Sequence, residues 1–347
     1  MSIFIIFAGV IGSSFILAYL LVPLNIRFSR YFKLLDAPHD RGVHSSATPM
    51  AGGFSFAIPV LILLCILSFV FPEYKHKFTQ HFIGGTAILI LGFLDDKKQF
   101  SAKYKLLFQI LIIITVYFFG LKIELLTNPF GSAVHLGILS FPFTIIWFLV
   151  VINAFNLIDG MDGLAAGIAV IVLMVLLAVS VGKSNQLVII LSLTMIGSLL
   201  AFLRFNFYPA KIFMGDTGSL FIGFNIAAIA AAGAAQFKGI TAITLIIPII
   251  TLVIPLMDVT ASVFRRIKRK KNIFQADKEH LHHLMLGKGF SQKTVAILGY
   301  VITLLFGLIA FGFSFASKEI LIIILLFLII LILFFIFVYL KKELSDK

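Results

Sequence analysis

Apolar runs of about twenty residues recur along the whole chain, and nothing else restricts its fold as much. The first reads "MSIFIIFAGVIGSSFILAYLLVPL", and a helix needs ~20 apolar residues to cross a bilayer. The runs and their breakers predict an all-α polytopic membrane protein with about 11 spans. They lie near 2–24, 50–71, 82–95, 104–120, 140–158, 163–181, 186–203, 218–237, 240–264, 294–316 and 319–340. The third run is short, and the ninth contains Pro248 and Pro255, so kinks or breaks are expected there. Only 12% of residues are charged, against about 25% in a soluble domain. No polar stretch reaches the ~50 residues of a soluble domain, so 1–347 reads as a single integral membrane domain.

The first run lacks a basic leader and a small-residue cleavage site, and reads as a retained helix. The single Cys65 excludes a disulfide framework or a cysteine metal cluster. The net charge of +13 raises nucleic acid as a partner, but its distribution points to topology instead. With the first loop taken as cytoplasmic, 22 of the 28 Lys and Arg fall on that side and 6 on the other. This places the N-terminus outside and the C-terminus inside. Twelve of the 15 acidic residues fall inside or near the inner boundary as well. Asp and Glu contribute little to topology, so their clustering asks for a functional reason. Outside, "LKIELLTNPFGSAVHLGIL" reads as a short hairpin.

Four polar clusters sit on the inner face. "NAFNLIDGMDGLAAG" (153–167) ends an apolar run with Asn153, Asn156, Asp159 and Asp162. "GFLDDKKQFSAKYKLLFQ" carries Asp95, Asp96, Lys103 and Lys105. "FNFYPAKIFMGDTGS" carries Asn206, Lys211, Phe213 and Asp216, and "DKEHLHHLMLGKGFS" carries His280, His282 and His283. Each has a plain structural reading. Asp95 and Asp96 suit a solvated helix cap, Asp159 and Asp162 suit caps before glycine turns, and Asp216 suits a turn. Asp258 suits an ion pair with Arg265 or Arg266, and "RRIKRKK" a lipid-facing topology anchor. The histidines lack the framework of a zinc site such as H-E-x-x-H. Together on one face, carboxylates from several helices with Lys and His describe a site for Mg²⁺ and phosphates, because Mg²⁺ is held by few carboxylates plus substrate oxygens.

At these residues the chain resembles the polyprenyl-phosphate N-acetylhexosamine-1-phosphate transferase superfamily, of the glycosyltransferase family 4 type. The resemblance runs through five ordered motifs: "DAPHDRGVHSSATPMAGG", "LDDKKQFSAKYKLLFQ", "NAFNLIDGMDGLAAG", "FNFYPAKIFMGDTGSLFIG" and "DKEHLHHLMLGKGFS". It implies that a polyprenyl phosphate attacks the β-phosphorus of a UDP-amino sugar, giving polyprenyl-diphospho-sugar and UMP. Mg²⁺ is the implied cofactor, with Mn²⁺ as an alternative. By motif matching, Asp95, Asp96, Asp159 and Lys105 are catalytic, and Asp216 with Asp95 holds the metal. Asn153, Asn156, Asp162, Asn206, Phe213, His280, His282 and His283 bind substrate, with Phe213 set to stack on uracil. "HLHH" resembles the undecaprenyl-phosphate N-acetylglucosamine-1-phosphate branch more than the muramoyl-pentapeptide branch, although Leu284 stands where that branch often has Arg. The resemblance also implies the bacterial cytoplasmic membrane, lipid contact, no nucleic acid and a homodimer as an allowed assembly.

The expected chemistry is direct in-line attack, with Asp96 positioning or deprotonating the nucleophile and Asp216 holding Mg²⁺; covalent catalysis by Asp95 or Asp96 is the alternative. CDP-alcohol phosphotransferases also carry Asp-Gly motifs, but "DGMDGLAAG" lacks their arginine. A transporter would place charge near the bilayer midplane on broken helices, whereas here it gathers at one face.

Overall fold

Helices make up most of what the computed structural model describes, which is residues 3–32, 34–36, 47–126, 134–236 and 291–315, with the single positions Ile323, Leu326 and Ile330. In chain order they are α1 (Ile3–Tyr31), α2 (Gly53–Val70), α3 (Lys75–Lys98), α4 (Ala102–Phe118), α5 (Ser140–Ile158), α6 (Leu164–Gly182), α7 (Gln186–Asn206), α8 (Gly215–Gln236) and α9 (Gln292–Phe315). Eight of them are long and apolar enough to cross a membrane among the described residues; α4, at 17 residues, is the other. The expected ninth span lies outside the described residues, as does most of the eleventh.

The third span corrects the sequence reading. It is not short, because α3 begins at Lys75 and continues through polar residues. Two of these polar side chains find carbonyl partners. Buried Gln80 donates to the Phe119 carbonyl at 2.5 Å, and His81 Nδ1 lies 2.8 Å from the Lys77 carbonyl. The expected hairpin pairing is present, with β3 (Leu125–Leu126) antiparallel to β4 (Val134–His135) and Leu125 opposite His135. A second short pair, β1 (Leu35–Asp36) and β2 (Thr48–Pro49), sits between α1 and α2.

α8 lies at the centre, packed by α3 and α5 and also touching α2, α6 and α7. It is among the least apolar of the eight spans and the most buried. In lipid this is expected, since outward faces need apolar side chains while inner faces need small ones that let backbones approach. α8 supplies Gly218, Gly223 and a run of alanines. α3 faces it with Gly84, Gly85 and Gly92, and a Cβ on Gly92 would meet the backbone of Asp216 and Thr217. That close crossing brings the end of α3 against the start of α8. Phe56, Phe202 and Phe221 pack beside it with ring centroids 5.0 and 6.2 Å apart. At the periphery, α1 packs on α7, where Ser14 and Ser198 hydroxyls meet at 2.5 Å, and α9 packs on α6.

Candidate active site

Asp95 and Asp96 end α3, and each uses both of its oxygens. Asp95 Oδ1 accepts from the Phe100 amide at 2.8 Å, which holds the turn made by left-handed Gln99 (φ 50°). That turn brings Lys105, in the first turns of α4, back over the end of α3. Its ammonium lies 2.8 Å from Asp95 Oδ2, 2.7 Å from Asp216 Oδ2 and 3.1 Å from Asn156 Oδ1. Three acceptors match the three donors of an ammonium group. The Asn156 amide group donates in turn to Asp216 Oδ1 and, at 3.0 Å, to Ser219 Oγ. Four helices, α3, α4, α5 and α8, thus meet through side chains at one end of the bundle.

Asp96 points elsewhere. Its oxygens accept from the Asp216 amide at 2.7 Å, the Thr217 amide at 3.0 Å and the Thr217 hydroxyl at 2.5 Å. Asp159 follows the last residue of α5. Burial, reinforced by the negative charge of Asp216, Asp96 and Asp162, holds its carboxyl well above the usual carboxylate range. Two carboxylates, Asp95 and Asp216, thus contact the ammonium, and Asp96 and Asp159 lie within the electrostatic reach of Asp216. Among the described residues no three or more His, Cys, Asp or Glu form a closed metal cluster. Mg²⁺ does not require one, since one or two carboxylates with waters and phosphate oxygens suffice. The donor set fits it: Asp216 is 30% exposed while Asp95 is 4% exposed, and the Asn156 side chain bridges Lys105 and Asp216, its carbonyl oxygen toward the ammonium and its amide group toward Asp216. The Lys105 ammonium between Asp95 and Asp216 marks where positive charge is stabilised.

Comparison with known proteins gives the family of the chain. The family model described as glycosyl transferase family 4 matches residues 78–234, a stretch that contains every residue of the cluster. A probable undecaprenyl-phosphate N-acetylglucosaminyl 1-phosphate transferase of Bacillus subtilis (strain 168) is 37% identical over 298 residues, 86% of this chain and 82% of its own. This chain belongs to glycosyl transferase family 4. Other relatives in the family are a decaprenyl-phosphate N-acetylglucosaminephosphotransferase of Mycobacterium leprae (strain TN) and a phospho-N-acetylmuramoyl-pentapeptide-transferase of Caldicellulosiruptor bescii. The first is 30% identical over 79% of this chain and 75% of its own, the second 30% over 86% and 94%.

Of the remaining expected residues of this family 4 chain, Asn206 and Asp162 form a bracket beside the cluster. Asn206 is buried, accepts from the Gly163 amide at 3.1 Å and donates to the Ile212 carbonyl at 2.9 Å. Asp162 is buried and accepts from the Ala210 amide at 2.9 Å. Phe213 is half-buried, and its backbone pairs with Pro49 and Gly52 at 2.9 and 2.8 Å. Asn153 donates to Gln109 Oε1 at 2.9 Å and to the Leu149 carbonyl at 2.8 Å. His280, His282 and His283 lie outside the described residues. Lys103 and Lys211 are exposed.

Sequence reasoning missed six residues. Gln109 is a lone buried amide four residues after Lys105, one turn along the same face; its pairing with Asn153 sets the register of α4 on α5. Thr217 and Ser219 stood in view in "GDTGS" as turn residues. Gly52 and Gly53 donate to the Phe213 and Met214 carbonyls, holding the segment before Asp216. Tyr300 of α9 donates to the Gly163 carbonyl at 2.6 Å, and no local signal in an apolar run marks it.

Proposed function

We propose that this chain transfers a sugar-1-phosphate, first of all N-acetylglucosamine-1-phosphate, from a UDP-sugar to a polyprenyl phosphate, releasing UMP. The observation that carries this reading is Lys105, one ammonium held by carboxylates from two helices and an asparagine from a third. A phosphate monoester has its second pKa near about 6 and is largely a dianion at neutral pH. Strong base catalysis is therefore unnecessary, and the harder step is bringing two anionic phosphates together. Lys105 supplies fixed positive charge next to the open Asp216. Asp216 and Asn156, with Asp95 behind them, are the residues that would hold Mg²⁺; bound there, the ion neutralises charge on the phosphate oxygens. The remaining work of the chain is positional. The Gln109–Asn153 pair and the Asn206 bracket keep α4, α5 and α8 in register so that the reacting groups meet in line.

The distribution of Lys and Arg supports a cytoplasmic position for this end of the bundle, where a soluble nucleotide sugar is available. The N-acetylglucosamine reading follows the Bacillus and Mycobacterium relatives; the muramoyl-pentapeptide relative supplies the second donor to test. The experiment gives purified chain a polyprenyl phosphate and, in separate reactions, UDP-N-acetylglucosamine, UDP-N-acetylgalactosamine and UDP-N-acetylmuramoyl-pentapeptide. UMP release and lipid mass are read. UMP with a polyprenyl-diphospho-N-acetylhexosamine product is expected. Release of UDP, or no lipid product with any donor, defeats the proposal.

A further inference from the structure

We infer that Asp96 is a positioning residue: it holds the first amides of α8 and thereby orients Asp216, and it is not the group that handles the nucleophile. The inference rests on the transfer reaction and the Asp216 site proposed above.

The geometry separates the two neighbouring carboxylates. Asp95 turns one oxygen to Lys105 at 2.8 Å, inside the cluster. Asp96 turns both oxygens to α8, accepting two backbone N–H groups and one hydroxyl. The first N–H groups of a helix have no partner within it, and the helix dipole favours an anion there. A carboxylate from a different helix meets both requirements at once. It also occupies three of roughly four lone-pair positions of Asp96, which leaves little acceptor capacity for a proton from substrate.

The surroundings are shaped for this contact. Gly215 has φ +66°, and a Cβ there would stand 2.6 Å from Asp96 Oδ2. Gly92, one turn before Asp96, leaves room for the Asp216 and Thr217 backbone. From the other side the Gly53 amide donates to the Met214 carbonyl at 3.0 Å. The backbone of Asp216 is thus held by Asp96 at its own amide and by α2 two residues earlier. Its side chain is left to meet Lys105 and Asn156.

The test separates positioning from proton transfer. Purified full-length parent, Asp96→Asn, Thr217→Ala, Thr217→Ser and the Asp96→Asn/Thr217→Ala double variant are assayed for transfer across a Mg²⁺ titration. Mn²⁺ affinity is measured by electron paramagnetic resonance without substrate. Asp96→Asn keeps measurable transfer, binds Mn²⁺ about 10- to 100-fold more weakly and needs correspondingly more Mg²⁺. Thr217→Ala moves both readouts the same way by a smaller factor, and Thr217→Ser restores them. The double variant is no worse than Asp96→Asn, because both act through one contact. Parental Mn²⁺ affinity in Asp96→Asn with no transfer at any Mg²⁺ concentration overturns the inference. If Asp96→Asn does not fold, Thr217→Ala decides alone, and parental values in it overturn the inference equally. Because Mn²⁺ binding is read without turnover, a failure of the transfer reading shows separately, as a parent that releases no UMP.

Discussion

The Lys105 cluster and the bracket around Gly163 lie side by side at one end of the bundle and share the motif "NAFNLIDGMDG", yet they are bonded differently. In the cluster, Lys105, Asn156, Asp216 and Asp95 meet side chain to side chain. In the bracket, Asn206, Asp162 and Tyr300 bond to backbone atoms of Gly163, Ile212 and Ala210. Bonds between side chains can be exchanged for bonds to a ligand without moving the chain. Bonds to backbone cannot be exchanged in this way, because they hold the loop itself. Residue type alone does not separate the two roles; the partner does.

The comparison breaks first at Asp216. Asp216→Asn keeps the shape and removes the charge, and transfer is expected to fall ~10³-fold or more. The thermal midpoint should stay near that of the parent, since no backbone bond is lost. UMP release and a thermal melt in detergent measure the two sides. Retention of a tenth of the activity would place the metal elsewhere. Lys105→Met comes next, with an expected loss of ~10²–10³-fold. It removes the only ammonium hydrogen-bonded to the cluster among the described residues and leaves Asp95 and Asp216 facing each other. The variant should therefore bind Mn²⁺ at least as well as the parent while failing to turn over, and a parental rate would sink the role given to Lys105.

How much of this was legible depended on how local each signal is. Apolar runs of bilayer length are local, and they located α2, α4, α5, α6, α7, α8 and α9 to within a few residues, whereas α1 runs on past the expected end at residue 24 to Tyr31. α3 is the other exception because its first turns are polar: Gln80 reaches the Phe119 carbonyl only once α3 and α4 have packed, while His81 bonds within the helix to Lys77. The motifs located Asp95, Asp96, Lys105, Asn156 and Asp216 because they carry costly charges or amides near membrane depth. What they do not encode is which partner each finds. The adjacent Asp95 and Asp96 look equivalent in "LDDKK", and only the crossing of α3 with α8 at Gly92 directs one to Lys105 and the other to the α8 amides. Tyr300 lies 137 residues from Gly163, so no window of sequence joins them.

The bracket should respond in the opposite sense to the cluster. Asn206→Ala removes two bonds and leaves the Gly163 amide and the Ile212 carbonyl buried without that partner, which costs about 2 kcal/mol or more. The thermal midpoint should fall while the rate per folded molecule stays within about 3-fold of the parent. Tyr300→Phe is the milder version, losing one hydroxyl and about 1 kcal/mol. A variant with parental stability and a hundredfold lower rate would show that the bracket takes part in binding, as the family motif implies for Asn206.

Asp159 stands between the two regions and gives the smallest and most diagnostic effect. Burial and three neighbouring carboxylates raise its carboxyl above the usual range. The folded chain then holds a proton that the unfolded chain releases sooner. Its contribution to stability is present below the unfolded value and is lost as pH rises through the folded one. With divalent ions chelated, the parent should therefore lose stability from mildly acidic to mildly alkaline buffer. Asp159→Asn, neutral throughout, should lose less. The gap between their thermal midpoints should open with rising pH by no more than a few degrees and close at acidic pH. Restoring Mg²⁺ should narrow it at high pH, because added positive charge favours the ionised carboxylate. A gap that is flat with pH would mean Asp159 belongs with Asp162 and Asn206 in the bracket; a gap that opens and responds to Mg²⁺ puts it in the electrostatic field of Asp216.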